Sequence, residues 1–471
     1  MDAFVGREHE LAKLDRALEG VRRTGRGGFI SMRGRRRVGK SRLVEEFAQR
    51  SGCPYLFYTA VKEEGESELG RFLEALAQSE LPAAAQRRAG ADASTWEAAF
   101  DLAVRDATRE SPLILIVDEF PYLAEKSPTI EAVMQLIWDH TVQRVPVLLV
   151  LIGSDRATME ALSAEGRPLY DRPREFVVEP LTPADISEML GLDPREAFDA
   201  YLVTGGFPVL ALEWQSLGGT REAYLAEALT DESSFLVLSA ERTLAAEFDG
   251  DARSRAVLGA IGSDARAHNE IGTRTGLNAT SLHRALDVLQ AKGVVDRFTA
   301  YSAKPSRNTQ YVVADSYLRF WLRFVARDLP LIQRGRGSLL VDRVSQSWTT
   351  YRGRAIEPVV RTAIEKMLPD ERFGPALHVG SFWTRNASVE VDLVGGDKQP
   401  VAGNVAFLGS VKWRESAAFT RTDLTELAAH RTAVRGTSDA TRLVGVSRAG
   451  FVDAGGLDLQ LGPEELIAAF R

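Results

Sequence analysis

From residue 28 to about residue 178, short apolar runs alternate with longer stretches whose apolar positions recur every three or four residues. The short runs, Phe29–Met32, Tyr55–Thr59, Leu113–Val117, Val147–Ile152 and Phe176–Val178, are too brief for helices and read as strands. Helical spacing between them predicts Ser41–Arg50, Glu66–Gln78, Trp96–Thr108 and Ile130–Val142. Unbroken apolar strands alternating with amphipathic helices are what a parallel sheet buried on both faces requires, so the region predicts an α/β domain.

After Pro183 the strand pattern stops. Short helical stretches run to about Glu247, broken by Gly205-Gly206-Phe207-Pro208, and predict a helical lid. Three further helical stretches, Arg255–Ile261, Asn269–Thr275 and Thr280–Lys292, precede two strand-like runs, the order of a helix-turn-helix with a β-wing. From Tyr351 a helix leads into strand-like Val389–Val394 and Ala406–Lys412, a second α/β unit. The expected division is a core at 1–180, a lid at 181–250, a winged helix-turn-helix at 251–330, a linker at 331–350 and a C-terminal domain at 351–471.

Composition agrees with several soluble cores: 471 residues, 45% apolar and 26% charged. The longest apolar run, Val145 to Gly153, is far short of the ~20 residues of a membrane-spanning helix. The N-terminus lacks the pattern of a secretory signal, so a cytoplasmic protein without a membrane span is expected. The single Cys53 cannot form an internal disulfide. Net charge is −7, unevenly spread. Residues 1–250 hold 28 Lys/Arg against 42 Asp/Glu, whereas residues 251–345 hold 15 against 8, which makes the middle basic.

Chemistry enters at Gly34-Arg35-Arg36-Arg37-Val38-Gly39-Lys40-Ser41. This segment fits the phosphate-binding pattern G-x-x-x-x-G-K-[ST] at every fixed position, after a strand and before a helix. Its glycines let backbone N–H groups curl round phosphates, and the helix terminus adds partial positive charge. Gly34 to Ser41 and the following Arg42 are therefore the candidate nucleotide-binding segment, with Lys40 on the β- and γ-phosphates and Ser41 on Mg²⁺. Five apolar residues, Leu113 to Val117, then run into Asp118 and Glu119. Asp118 is the second candidate Mg²⁺ residue, and Glu119 the candidate general base. Ser154, at the tip of the next strand, is the candidate γ-phosphate sensor, with helix capping as the alternative. ATP and Mg²⁺ are the expected substrate and cofactor.

Phe4-Val5-Gly6-Arg7-Glu8, the P-loop, Asp118-Glu119-Phe120 and Gly205-Gly206-Phe207-Pro208 together resemble the archaeal-type ATPases in the STAND branch of the AAA+ superfamily. The resemblance spans nearly the whole chain. It implies that Val5, Gly6 and Arg7 contact adenine, that Pro208 lies over the base, and that the Gly-Gly turn lets the lid feel the nucleotide. It also implies a charge-stabilising role for Arg172, in its own chain or a neighbour's; a surface pairing with Asp171 or Glu175 is the alternative.

In the basic middle, Ser281, His283, Arg284 and Lys292 on the second helix of the turn, with Lys304, Arg307 and Asn308 in the wing, are the groups with which such a module would grip DNA. In the C-terminal unit, Glu357, Asp392 and Lys412 follow an order that resembles the PD-(D/E)XK nuclease fold, in which clustered carboxylates hold Mg²⁺. Ser410 stands where an acidic ligand belongs, and Glu390, on the same strand face as Asp392, is the candidate replacement. The leading expectation is a Mg²⁺-dependent ATPase acting as a nucleotide-driven switch, coupled to a winged helix and a degenerate nuclease-like domain. An ATP-regulated DNA-processing nuclease and a non-cutting DNA- or protein-binding regulator are the alternatives, and protein partners or self-association stay open.

Overall fold

A computed structural model describes residues 4–61, 67–79, 81, 93–127 and 129–471. The chain falls into two units, Met1–Pro180 and Leu181–Arg471.

In the first unit five parallel strands, β1 (Gly28–Arg33), β2 (Tyr55–Thr59), β3 (Leu113–Asp118), β4 (Val147–Gly153) and β5 (Arg174–Val177), form one sheet in the order β2-β3-β4-β1-β5. Every residue of β3 and β4 is buried, which is why both appear in the sequence as unbroken apolar runs. Because β4 lies between β1 and β3, the P-loop strand and the acidic strand are not neighbours. Helices Glu68–Gln78 and Trp96–Val104 seal one flank through stacked Phe72 and Phe100, their centroids 5.1 Å apart. The Glu66 start expected for the first of these lies outside the described residues.

The second unit opens with helices Pro183–Leu190, Pro194–Thr204 and Pro208–Leu217. Each begins on a proline, whose missing N–H costs nothing in the first turn. Thr182 and Asp193 cap the first two. At the Gly-Gly turn a Cβ on Gly206 would lie 2.0 Å from the Leu181 carbonyl oxygen, so only glycine permits this approach. The Leu181 N–H donates to the Gly206 carbonyl at 2.8 Å.

Helices Ala252–Ile261, His268–Thr275 and Ala279–Ala291 follow, with an antiparallel sheet of β6 (Arg266–Ala267), β7 (Val295–Thr299) and β8 (Thr309–Val313) in the order β6-β8-β7. The segment read as a wing is docked on the C-terminal sheet, which leaves less of it free for DNA. The Tyr301 N–H donates to the Ser381 carbonyl (2.8 Å), that of Ala303 to Arg435 (2.9 Å), and Asn308 Nδ2 to Trp383 (3.2 Å). Phe298 meets Trp383 edge-on, and Tyr301 is buried in one core with Val394, Leu408 and Leu427. Apolar Phe298 and Tyr301 decide this, because burying two aromatic rings outweighs leaving the strand tips in water. Lys304 and Arg307 remain exposed.

The stretch read as a linker, 331–350, is also different. It enters helix Ser338–Ala355, which buries Leu340, Val344, Trp348 and Tyr351. Those four recur at helical spacing, but the preceding Arg334-Gly335-Arg336-Gly337 and the polar residues between them hide the stripe. Beyond it, β9 (His378–Trp383), β10 (Glu390–Gly396), β11 (Val405–Lys412), β12 (Arg442–Ser447) and β13 (Leu459–Leu461) form a mixed sheet in the order β13-β12-β11-β10-β9, antiparallel from β9 to β11 and parallel from β11 to β13. Among the described residues, no helix is long and apolar enough to cross a membrane.

Candidate active site

The site in the first unit begins where β1 ends. The chain turns through Gly34 to Val38 and enters helix Lys40–Ser51 at Gly39, whose φ of 91° no side-chain-bearing residue adopts easily. Lys40 is buried within its own loop, its ammonium donating to the carbonyls of Gly34 (2.9 Å) and Arg35 (3.0 Å). The Ser41 hydroxyl donates to Asp118 Oδ2 at 2.6 Å, and the Glu119 N–H to Oδ1 at 2.9 Å. Burial pushes the Asp118 carboxyl above its ordinary value; the Ser41 hydrogen bond opposes that shift and the Glu119 charge adds to it. A hydroxyl and a carboxylate in contact are hard oxygen donors of the kind Mg²⁺ takes, so the pair fits that ion.

Glu119 has left-handed backbone (φ 53°), a conformation that costs a non-glycine residue about 1 kcal/mol or more and collects at functional sites. The Ser154 hydroxyl donates to Glu119 Oε2 at 2.9 Å. Helix capping, the other role open to Ser154, belongs to its neighbour: Asp155 accepts the Thr158 N–H at 2.9 Å and caps Arg156–Leu162. Tip residues of β3 and β4 therefore meet directly.

Arg7 and Arg37 are also left-handed, at φ 71° and 68°. The buried Arg7 guanidinium donates to Glu10 Oε1 (3.0 Å) and to the Val38 carbonyl (2.9 Å), tying the N-terminal segment to the P-loop. Sequence spacing gave no hint of this link across 31 positions. Arg7→Ala strands a buried carbonyl and is expected to lower stability by about 1–3 kcal/mol, read from the urea midpoint at constant slope.

The remaining candidates are dispersed. Arg172 makes a bidentate pair with Asp139 (3.0 and 2.9 Å) and donates to the Pro168 carbonyl, so its partner is neither Asp171 nor Glu175. That hydrogen bonding holds the Asp139 carboxyl below its ordinary value. Arg42 is exposed and pairs with Glu45 and Glu46 one turn on. Val5 and Gly6 directly precede Arg7, and Pro208 opens its helix in the second unit.

Glu357, Glu390, Asp392, Ser410 and Lys412 all line one cavity of about 1010 Å³ in the second unit. The metal cluster is nevertheless not assembled: among the described residues, no group of three or more His, Cys, Asp or Glu side chains could hold an ion. Asp392 Oδ2 instead accepts the Ser410 hydroxyl (3.2 Å) and the Val411 N–H (2.7 Å), and Lys412 lies 3.7 Å from Asp423. Ser410 thus serves Asp392 as a donor. Burial pushes the Glu357 carboxyl up to about 8, and the charges of Asp392 and Glu390 add to the rise against Arg361 and Arg354.

A carboxyl raised from 4.5 to about 8 on folding binds its proton more tightly in the native state. The stability it contributes is complete below the unfolded value and is lost as pH rises toward the folded one. Wild type is therefore expected to lose stability between about pH 5 and pH 8 relative to Glu357→Gln, whose neutral amide does not titrate; urea midpoints at both pH values check this.

Residues 4–213 match the model of an ATPase domain found predominantly in Archaea, and residues 321–426 that of archaeal and bacterial proteins of unknown function. An uncharacterized protein of Methanocaldococcus jannaschii is 24% identical over 423 residues, covering 88% of each chain. Among solved structures, the Walker-type ATPase PABY2304 of Pyrococcus abyssi is 19% identical, with a TM-score of 0.48 over 68% of this chain and 96% of its own. The Aeropyrum pernix ORC2 protein in its ADPNP–ADP complexes is 15% identical, with a TM-score of 0.42 over 73% and 95%. With the loop, the acidic strand end and the parallel sheet, the match over residues 4–213 supports a P-loop ATPase domain in the N-terminal part of this chain.

Proposed function

We propose that the chain hydrolyses ATP at the P-loop and uses the cycle as a switch acting on its second unit. The observation that carries the reading is the gathering of five polar groups from three segments: Lys40 and Ser41 of the loop, Asp118 and Glu119 at the end of β3, and Ser154 just after β4. Lys40 binds the β- and γ-phosphates, and the loop N–H groups and helix terminus cradle the rest. Ser41 and Asp118 hold Mg²⁺, which when bound neutralises phosphate charge. Glu119 takes the proton of the attacking water, and Ser154 orients the Glu119 carboxylate. Val5 and Gly6 meet the adenine, while Arg7 braces the loop. Arg172 would act on the γ-phosphate only by leaving Asp139.

The switch is supported by how the chain leaves the site. The Val178 N–H donates to the Arg33 carbonyl in the first unit (2.8 Å), and Leu181, three residues on, is bonded to Gly206 in the second. Only Glu179 and Pro180 lie between these two anchored residues, a short join with little slack to absorb movement of the P-loop strand.

The region 251–330 reads best as a winged helix used as a spacer, its wing fixed to the C-terminal sheet. A DNA grip would rest on exposed His283, Arg284, Lys304 and Arg307 alone and stays outside the proposal. The C-terminal sheet is read as a nuclease-like module that does not cut, because Ser410 donates to Asp392 where a second carboxylate would be needed. The test is phosphate release by the full chain with ATP. Release that requires Mg²⁺ and Lys40 supports the reading; a wild-type chain releasing none sinks it.

A further inference from the structure

The loop carries three consecutive arginines, and the one in the middle differs from its neighbours. Arg35 and Arg37 are each engaged within the structure. The other arginines around the site are committed as well: Arg7 to Glu10 and Val38, Arg33 to Glu160 and Glu175 at 2.8 Å each, Arg42 to Glu45 and Glu46, and Arg172 to Asp139. Arg36, by contrast, is half-buried and has no hydrogen-bond or ion-pair partner among the described residues. A partly desolvated guanidinium without an anion is unfavourable for folding, which leaves Arg36 suited to an anion that arrives as ligand.

Its place in the loop says which part of that ligand it meets. The Lys40 ammonium, the group that reaches the β- and γ-phosphates in such loops, rests on the carbonyls of Gly34 and Arg35. Arg36 is the next residue, so its side chain starts from the end of the loop where the terminal phosphate belongs. A guanidinium offers two parallel donors that match two phosphoryl oxygens, which an ammonium cannot do.

We propose that Arg36 is a catalytic arginine supplied from within the loop itself, pairing with the terminal phosphoryl group of ATP and stabilising the charge redistributed there during hydrolysis. This rests on the ATPase reading above. In the step it assists, the water oxygen bonds to the γ-phosphorus while the bond from that phosphorus to the bridging oxygen breaks. The electron pair stays on ADP, and the water proton goes to Glu119. With Arg172 held by Asp139, Arg36 does the work that other ATPases assign to an arginine from elsewhere in the chain or from a partner.

The test uses the full chain with four proteins: wild type, Arg36→Ala, Arg36→Lys and, as a control for lost charge, Arg16→Ala on the exposed face of helix Glu8–Thr24. Binding of fluorescent ATP and ADP analogues is measured beside Mg²⁺-dependent phosphate release. Arg36→Ala is expected to lower kcat by about 10²–10³-fold, to weaken ATP roughly tenfold while leaving ADP within about twofold, and to melt like wild type. Arg36→Lys should recover part of kcat, free guanidinium ion should partly rescue the alanine variant, and Arg16→Ala should behave as wild type. Turnover of Arg36→Ala within about twofold of an active wild type overturns the proposal, as does equal weakening of ATP and ADP with kcat unchanged. A wild-type chain that neither binds nucleotide nor releases phosphate overturns the ATPase reading itself, a separate result. Should the alanine variant melt early, Arg36→Gln, which keeps stem length and polarity, reads the same kcat and ATP-to-ADP ratios.

Discussion

Lys40→Ala is expected to lower Mg²⁺-dependent phosphate release by about 10³-fold or more and to weaken ATP binding at the same time. The ammonium sits inside the loop, bonded to two of its carbonyls, so it shapes the loop and, on the proposed reading, supplies a positive charge at the β- and γ-phosphates. Losing one pre-positioned donor at a transition state typically costs 10²–10³-fold, and here a full charge goes with it. The alanine also leaves the Gly34 and Arg35 carbonyls without their donor, so binding should suffer along with chemistry. Phosphate release and analogue titration on the same preparation give both numbers. Turnover within a few-fold of wild type would remove the P-loop from the reaction.

Glu119→Gln should separate those two effects. The amide has the shape of the carboxylate but cannot take the proton of the attacking water, so kcat is expected to fall by about 10²–10⁴-fold with ATP affinity nearly intact. Ser154 can still donate to the amide oxygen, so the contact between the strand tips survives. The left-handed backbone at position 119 is no more strained by glutamine than by glutamate. A variant that binds ATP as wild type does and holds it unhydrolysed would also trap the second unit in its ATP-bound arrangement. Limited proteolysis of the trapped form beside the ADP form then reads the switch. If kcat is unchanged, the base is another group.

Both variants lie on features visible in the unfolded chain. The fixed spacing of Gly34, Gly39, Lys40 and Ser41, and the apolar run of β3 ending on two carboxylates, are local properties, as is the alternation that announces the parallel sheet. Proline at the first position of the three helices that open the second unit is equally local. Sequence alone therefore determined the phosphate loop, the candidate groups around it and the extents of most strands, because a strand buried on both faces must be apolar along its whole length and a phosphate loop must have its glycines in place.

Partnership was decided elsewhere. Ser154 on Glu119, Arg7 on Val38 and Arg172 on Asp139 each join residues more than 30 positions apart, and nothing in either segment by itself selects the other. The strand order that sets β4 between β1 and β3 brings the first pair together, and the path of the N-terminal segment onto the loop brings the second. The docking of the segment between β7 and β8 and the carboxylates that line a cavity without clustering are of the same kind. A charged side chain takes whichever counter-charge the fold carries within reach, so sequence supplies the groups and the tertiary structure supplies the distances on which their chemistry depends.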